Sequence, residues 1–426
     1  MPVTAVVGLQ WGDEAKGKFV DLLSPNADLV ARFGGGDNAG HTVVNEFGTF
    51  KLRLMPNGFS NAKTICAIGP GVVVNPQTLI EEIETVQNSG IELESRLWVS
   101  PRCNLVMPYH RLLEGIYEEA RGAAKTGTTR RGIGPVFADK VSYNGIRFFD
   151  LKHEDQFARK LKLQLALKNP ILRAFGVEPL EFDALFSEVS SQYSRLKPYI
   201  REPFGLAQQM LAEGGEILLE GAQGALLDNN WGTYPFCTAS ITLAGGACAG
   251  FGIAPHAIRR VVGVTKAYTT RVGAGPMPTE LFDETGEKLQ QAGQEFGTVT
   301  GRARRCGWFD AELVRFTSQL NGATELALTK LDVLDELPAL KICIGYRRAE
   351  GGDRLWHYWE LDAEELALCE PVYLELEGWR QSTTAARNFA QLPAQAQAYV
   401  RKVEELVGVP VKFVSVGPGR EATIVV

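Results

Sequence analysis

The chain has 426 residues, 45% apolar and 22% charged, a balance that suits a packed body and argues against disordered, collagen-like and coiled-coil classes. A net charge of -6 with a pI of about 5.6 gives no global basic field for a nucleic-acid backbone, so free nucleotides suit the chain better than DNA. Seven scattered cysteines without a C-x-x-C pair argue against a disulfide framework or a zinc site, and neither a signal peptide nor a membrane-length apolar run is present, so a cytoplasmic protein is expected.

The first strand reads from Thr4 to Gly8, and Gly8-Leu-Gln-Trp-Gly-Asp-Glu-Ala-Lys-Gly-Lys18 follows it into a helix. Gly12 to Lys18 has the G-x-x-x-x-G-K spacing of a phosphate loop, in which glycines let backbone N–H groups converge on phosphate oxygens and lysines add charge. Phe19 stands where a Ser or Thr would hold Mg²⁺, which leaves Asp13 as the candidate oxygen donor. The bland alternative is a strand-to-helix turn with no ligand.

A second strand, Asp28 to Phe33, leads into Phe33-Gly-Gly-Gly-Asp-Asn-Ala-Gly-His-Thr42. So many glycines point to close backbone approach, and His41 is that loop's one base, able to supply a proton near neutral pH. Thr64 to Ile68 reads as a strand, and Asn75 and Pro76 open a helix that stops before Gly90. Lys125-Thr-Gly-Thr-Thr-Arg-Arg-Gly-Ile-Gly-Pro135 joins hydroxyls, cations and glycines in a way that suits an anion, or is simply an exposed basic loop. From about His153 to Met210 the pattern is helical, with Phe157, Leu161 and Leu165 on one face, and reads as an insertion within a single unit spanning 1–426.

Beyond it come strands at Glu216 to Leu219, Arg260 to Lys266 and Glu325 to Thr329, then a helix from Ala394 to Val407 ended by Gly408 and Pro410. Short apolar strands alternating with helices predict an α/β fold with a large, mostly parallel central sheet. Glu220-Gly-Ala-Gln-Gly224 ends a strand where such sheets bind ligands, and Gln223 offers a donor and an acceptor to a purine edge. Gly297-Thr-Val-Thr-Gly-Arg-Ala-Arg-Arg305 is a natural receptor for carboxylate or phosphate. Leu328-Thr-Lys-Leu-Asp332 is similar to the N/T-K-x-D guanine reader, whose carboxylate accepts from N1–H and the 2-amino group together.

Assembled, these segments resemble the adenylosuccinate synthetase family over nearly the whole chain. The resemblance is carried by Gln10 to Lys18, Asn38 to Thr42, Gly132 to Pro135, Thr270 to Pro276 and Thr279 to Gly286. It implies a GTP-dependent ligase that condenses IMP with L-aspartate in purine biosynthesis through a 6-phosphoryl-IMP intermediate, the first committed step from IMP to AMP. It implies Asp13 as the base at IMP N1, His41 as the acid at the GTP phosphates, and Asp13 with the Gly40 carbonyl as ligands of Mg²⁺.

By the same resemblance GTP is held by Gly12, Asp13, Glu14, Ala15, Lys16, Gly17, Lys18, Gly40, His41, Thr42, Arg304, Lys330, Leu331, Asp332, Ser415, Val416 and Gly417. IMP is held by Asp13, Lys16, Asn38, Ala39, Gly40, His41, Thr129, Tyr143, Gln223, Thr238 and Arg302, and aspartate by Thr298, Val299, Thr300, Gly301, Arg302, Ala303 and Arg304. Lys140 is a further lysine on the phosphate side. A homodimer with a shared site is implied, with neither nucleic acid nor membrane as partner.

Three positions depart from the family. Ala15 replaces the usual Gly, Asp37 replaces a neutral or basic residue, and Tyr143 stands where relatives carry an Arg that reaches IMP phosphate across the dimer. Either Tyr143 donates its hydroxyl, or Arg130 or Arg147 substitutes, or IMP binds more weakly. The rival readings are a regulatory GTP-binding switch, a non-catalytic scaffold, and the same ligase chemistry on another purine monophosphate such as dGMP.

Overall fold

The computed structural model describes residues 3–297, 301, 303–348, 352 and 354–426. β1 (Val3–Gly8) is buried along its whole length, as a strand covered on both faces must be. Its alternating side chains enter two cores. Val3, Ala5 and Val7 belong to a large cluster with Val314, Val400 and Val403, while Val6 packs with Phe19 and Val20 of α1 (Lys16–Leu23). Phe19, 0% exposed and 5.7 Å from the Phe413 ring, is therefore a core residue, which explains why no hydroxyl stands there.

The sheet continues through β2 (Leu29–Arg32), β3 (Ile65–Ile68), β4 (Leu97–Val99), β5 (Ile217–Glu220), β6 (Ile258–Lys266), β7 (Glu325–Thr329), β8 (Val411–Ser415) and β9 (Thr423–Val425). The nine strands lie in the order β9-β8-β7-β6-β1-β5-β2-β3-β4. Neighbours are parallel except for the β8–β9 edge pair. The carboxyl ends of the parallel strands thus share one edge, where open α/β sheets bind ligands. Six loops singled out in the sequence, those after β1, β2, β5, β6, β7 and β8, leave from that edge.

α2 (Pro76–Gln87) begins as expected, with the Asn75 side chain accepting from the Gln77 and Thr78 N–H groups, and the chain turns in the left-handed region at Gly90, φ 87°. The segment between β4 and β5 is helical, but it starts well before His153, with α3 (Pro108–Ala120) and α4 (Ile133–Val141). Leu113 and Ile116 of α3 bury against Leu172 of α5 (Glu154–Ala174), and α6 (Phe182–Leu196) shares a core with Leu79 and Ile83 of α2, so these helices cover the β4 end of the sheet. Phe157, Leu161 and Leu165 are the buried face of α5. α7 (Phe204–Glu213) leads into β5, α8 (Ala311–Asn321) precedes β7, and α9 (Ala394–Val407) ends at Gly408, φ 77°. Among the described residues no helix is long and apolar enough to cross a membrane.

Candidate active site

After β1 the chain enters the left-handed region three times, at Gly12 (φ 89°), Asp13 (φ 61°) and Ala15 (φ 67°). Ala15 therefore adopts a conformation that costs an L-residue about 1 kcal/mol, which accounts for the glycine usual there. Glu14 folds back into the loop. Its buried carboxylate accepts from the Gln10 and Gly12 N–H groups at 3.0 and 2.9 Å and from Lys16 Nζ at 2.7 Å. Any Cβ at Gly8 or Gly224 would sit 2.4 or 2.6 Å from that carboxylate, so both glycines are needed to make room for it. Glu14 shapes the loop from within, and Lys16, Gly17 and Lys18 form the first turn of α1.

Lys18 Nζ donates to Ser415 Oγ at 2.6 Å and to the Gly417 carbonyl at 2.8 Å, bringing the turn after β8 against the phosphate loop. Burial pushes the lysine's pKa down to about 8, against the opposing charge of Asp332. Asp332 sits in a 3-10 turn, Leu331–Leu334, directly after β7 and Lys330. Its Oδ1 is buried without a hydrogen-bond partner among the described residues, and burial raises its pKa. An unpaired buried acceptor costs about 1 to 3 kcal/mol, so the site is poised for a ligand with donors.

The loop after β2 meets the loop after β5. Gln223 Nε2 donates to Asn38 Oδ1 at 2.9 Å, Asn38 Nδ2 donates to Thr238 Oγ1 at 3.3 Å, and Gln223 Oε1 is buried without a partner among the described residues. A Cβ at Gly35, φ 82°, would lie 2.6 Å from Ala222 Cβ, so this close contact requires glycine. Asp37 accepts from Asn75 Nδ2 at 3.1 Å and Thr78 Oγ1 at 3.2 Å, tying the loop to the start of α2, which gives this unusual acid a structural role.

His41 opens a two-stranded hairpin, His41–Asn45 with Gly48–Leu52. Its Nε2 is buried without a partner among the described residues, and burial, then Arg32 and Lys16, push its pKa well below the ordinary value. In the ligand-free protein burial, Arg32 and Lys16 thus disfavour the protonated ring, against the expectation of a ready proton near pH 7. Phosphate oxygens in the site would oppose both cations and favour the protonated ring.

Lys330, φ 57°, turns its Nζ toward the Gly293 carbonyl at 2.6 Å and Glu295 Oε1 at 2.7 Å. Arg304, 7% exposed, pairs through Nε with Asp13 Oδ2 at 2.8 Å and through Nη1 with Glu295 Oε2 at 2.7 Å. The candidate base and the candidate aspartate receptor are thus joined by an ion pair. Arg304 N donates to the Glu295 carbonyl at 2.9 Å and Ala303 bridges Phe296, closing the loop that contains Gly301. Thr298, Val299, Thr300 and Arg302 lie outside the described residues.

Other residues are not gathered here. Thr129 is exposed, and the Thr126, Gly127 and Thr128 N–H groups of its loop already donate to Glu118. Burial would raise the pKa of that carboxyl, but these donors hold it down to about 2. Arg130 pairs with Glu119 at 2.6 Å. Tyr143, 95% exposed, lines a cavity of about 580 Å³ with Lys140 and Arg147, and neither Asn38, Gln223 nor Thr238 contributes to that lining. Sequence reasoning missed Lys266, Tyr268 and Glu295, described below, and gave no role to Arg271. Arg271, 1% exposed, lies 5.0 Å over the Trp11 ring and donates to Thr233 Oγ1 at 2.9 Å, bracing the phosphate loop.

This constellation has relatives. The sequence model of the family described as Adenylosuccinate synthetase matches residues 5–424. The chain belongs to the adenylosuccinate synthetase family. It is 49% identical to the Adenylosuccinate synthetase of Heliobacterium modesticaldum over 100% of this chain and 99% of that one, and 48% identical to that of Carboxydothermus hydrogenoformans with the same coverage. The solved structure of fully ligated Adenylosuccinate synthetase from Plasmodium falciparum superposes with a TM-score of 0.94 at 34% identity, covering 100% of both chains. Cyanophage S-2L Succinoaminodeoxyadenylate synthetase, solved with dGMP and dATP, shares the fold at a TM-score of 0.62 and 22% identity, covering 99% of this chain and 94% of that one. Family membership makes the chain an enzyme, a GTP-dependent ligase of IMP and aspartate in AMP synthesis.

Proposed function

We propose that the ligase works through phosphoryl transfer to the 6-oxygen of IMP, with Asp13 as base and His41 at the transferring phosphate. The observation that carries this reading is the convergence, on one sheet edge, of a phosphate loop holding Asp13, an amide–hydroxyl chain at Asn38, Gln223 and Thr238, and the buried Oδ1 of Asp332, without a partner among the described residues. Asp332 and the Lys18–Ser415–Gly417 cluster hold GTP at its two ends. Gln223, Asn38 and Thr238 orient IMP.

With N1–H of IMP directed at Asp13, removing that proton places negative charge on O6, which attacks the γ-phosphate. Lys16 and a protonated His41 stabilise the charge spreading over the phosphate oxygens. Arg304, drawn to the carboxylate of aspartate, releases Asp13 for N1. The amine of aspartate then displaces phosphate at C6. In this reading the ligation as a whole is the first committed step from IMP toward AMP.

Asp13 and the Gly40 carbonyl would hold Mg²⁺. Among the described residues no group of three or more His, Cys, Asp or Glu side chains gathers into a cage, and a single carboxylate with a carbonyl fits an ion that takes its other oxygens from nucleotide phosphate and water. Bound there, Mg²⁺ would neutralise charge on the phosphate oxygens. Exposure of Tyr143 beside Lys140 and Arg147 supports a homodimer in which these residues serve the partner's IMP, and the free thiols of all seven cysteines accord with a cytoplasmic location. The intact strand-to-loop architecture over the full chain supports treating it as one functional unit.

The intermediate has a direct test. IMP carrying ¹⁸O at C6 should pass its label into inorganic phosphate as adenylosuccinate forms. Label appearing in water instead would mean direct displacement at C6, and the phosphorylated intermediate would fall.

A further inference from the structure

Glu295 is assigned to no substrate above, yet it holds Lys330, assigned to GTP, and Arg304, assigned to GTP and aspartate. The carboxylate is 0% exposed. Its Oε1 accepts from Lys266 Nζ at 2.9 Å, Lys330 Nζ at 2.7 Å and the Tyr268 hydroxyl at 2.5 Å, and its Oε2 accepts from Arg304 Nη1 at 2.7 Å. Burial would raise its pKa, but the three cations hold it far below the usual carboxylate range, so it is ionised throughout the working pH range. Among the described residues it is the one acid paired with Lys266 and Lys330, and it shares Arg304 with Asp13.

The connections run outward in four directions. Lys330 precedes the turn of Asp332, and Arg304 closes the loop assigned to aspartate. Arg304 also reaches Asp13, and Lys266 and Tyr268 are bound through their backbones to the Gln10 side chain, at 3.0 Å each, in the loop after β1. Only a charged acceptor with two oxygens can hold an arginine on one side and two lysines on the other in a buried setting, because a buried charge left unpaired costs several kcal/mol.

We propose that Glu295 is a positioning residue that sets the aspartate-binding and guanine-binding elements relative to each other by holding Arg304 and Lys330 on one carboxylate. The assignment rests on the reading that Arg304 serves aspartate and GTP and Lys330 serves GTP. Glu295→Gln keeps the side chain's shape but replaces one oxygen with NH₂. Whichever way the amide turns, a donor faces either Arg304 or the Lys266, Tyr268 and Lys330 group.

Steady-state kinetics of wild type and Glu295→Gln, varying each substrate in turn, separate this role from a merely structural one. KM for aspartate and KM for GTP should rise together by roughly tenfold or more, while KM for IMP stays within about twofold. A variant that melts earlier but keeps all three KM values, or raises all three alike, overturns the assignment. If Glu295→Gln does not fold, Tyr268→Phe removes one donor to the same oxygen and no charge. It should raise the same two KM values by about threefold, and unchanged values there overturn the assignment equally. A wild type with no aspartate-dependent turnover would instead overturn the reading of the site on which the assignment depends.

Discussion

Asp13→Asn should lower kcat by about 10²- to 10⁴-fold while leaving the fold intact. The amide cannot take the N1 proton, and it is a poorer ligand for a hard cation than a carboxylate. The fold survives because Asp13 is partly exposed, at 29%, and its pair with Arg304 is one of two held by that guanidinium, the other being Glu295. Loss of a part-exposed pair costs at most about 1 kcal/mol, so thermal melting should move by only a few degrees. His41→Asn should lose turnover comparably with little effect on IMP affinity. Near-wild-type kcat in a folded Asp13→Asn protein would remove the general base from the mechanism.

Asp332→Asn should switch the nucleotide preference. The buried, unpartnered Oδ1 of Asp332 suits guanine, whose N1–H and 2-amino group donate together. Asparagine puts an NH₂ against one of those donors, which should raise KM for GTP by roughly ten- to a hundred-fold without altering phosphoryl transfer. Xanthine has a carbonyl in place of the 2-amino group and accepts from the new amide, so XTP should become the better substrate. The measurement is kcat/KM for GTP and XTP in both proteins, and a variant that still prefers GTP over XTP would show that Asp332 does not read the base.

What could be read in the sequence was whatever local pattern dictates. Buried strands such as Val3–Gly8 announce themselves as unbroken apolar runs, and glycines mark loops where a Cβ has no room, as at Gly8, Gly35 and Gly224. Because parallel strands gather their carboxyl ends, loops far apart in sequence meet, and the pairing of Lys18 with Ser415 across the chain follows from that topology. Glu295 could not be found this way. It is one of 50 acidic residues, just beyond a surface helix, and only folding puts it under Lys266, Lys330 and Arg304.

The state of His41 was hidden for a similar reason. Its depressed pKa comes from burial beside Arg32 and Lys16, which sit on separate elements, whereas the glycine loop alone suggested a base able to supply a proton near neutral pH. The start of the helical region was also obscured. α3 and α4 follow turn-rich stretches, and their buried faces are completed by Leu172 of α5 and by Val73 and Val106, partners that local periodicity does not reveal. Among the departures, Ala15 and Asp37 acquire physical accounts, one as a tolerated left-handed residue and the other as a tether to α2.

Adenylosuccinate formation from IMP, GTP, L-aspartate and Mg²⁺, followed with each component omitted in turn, tests the central claim most directly. Product should appear only when all four are present, with GDP and phosphate formed one for one with it. Hydrolysis of GTP at an undiminished rate without IMP or aspartate, or dGMP replacing IMP with a higher kcat/KM, would contradict the account.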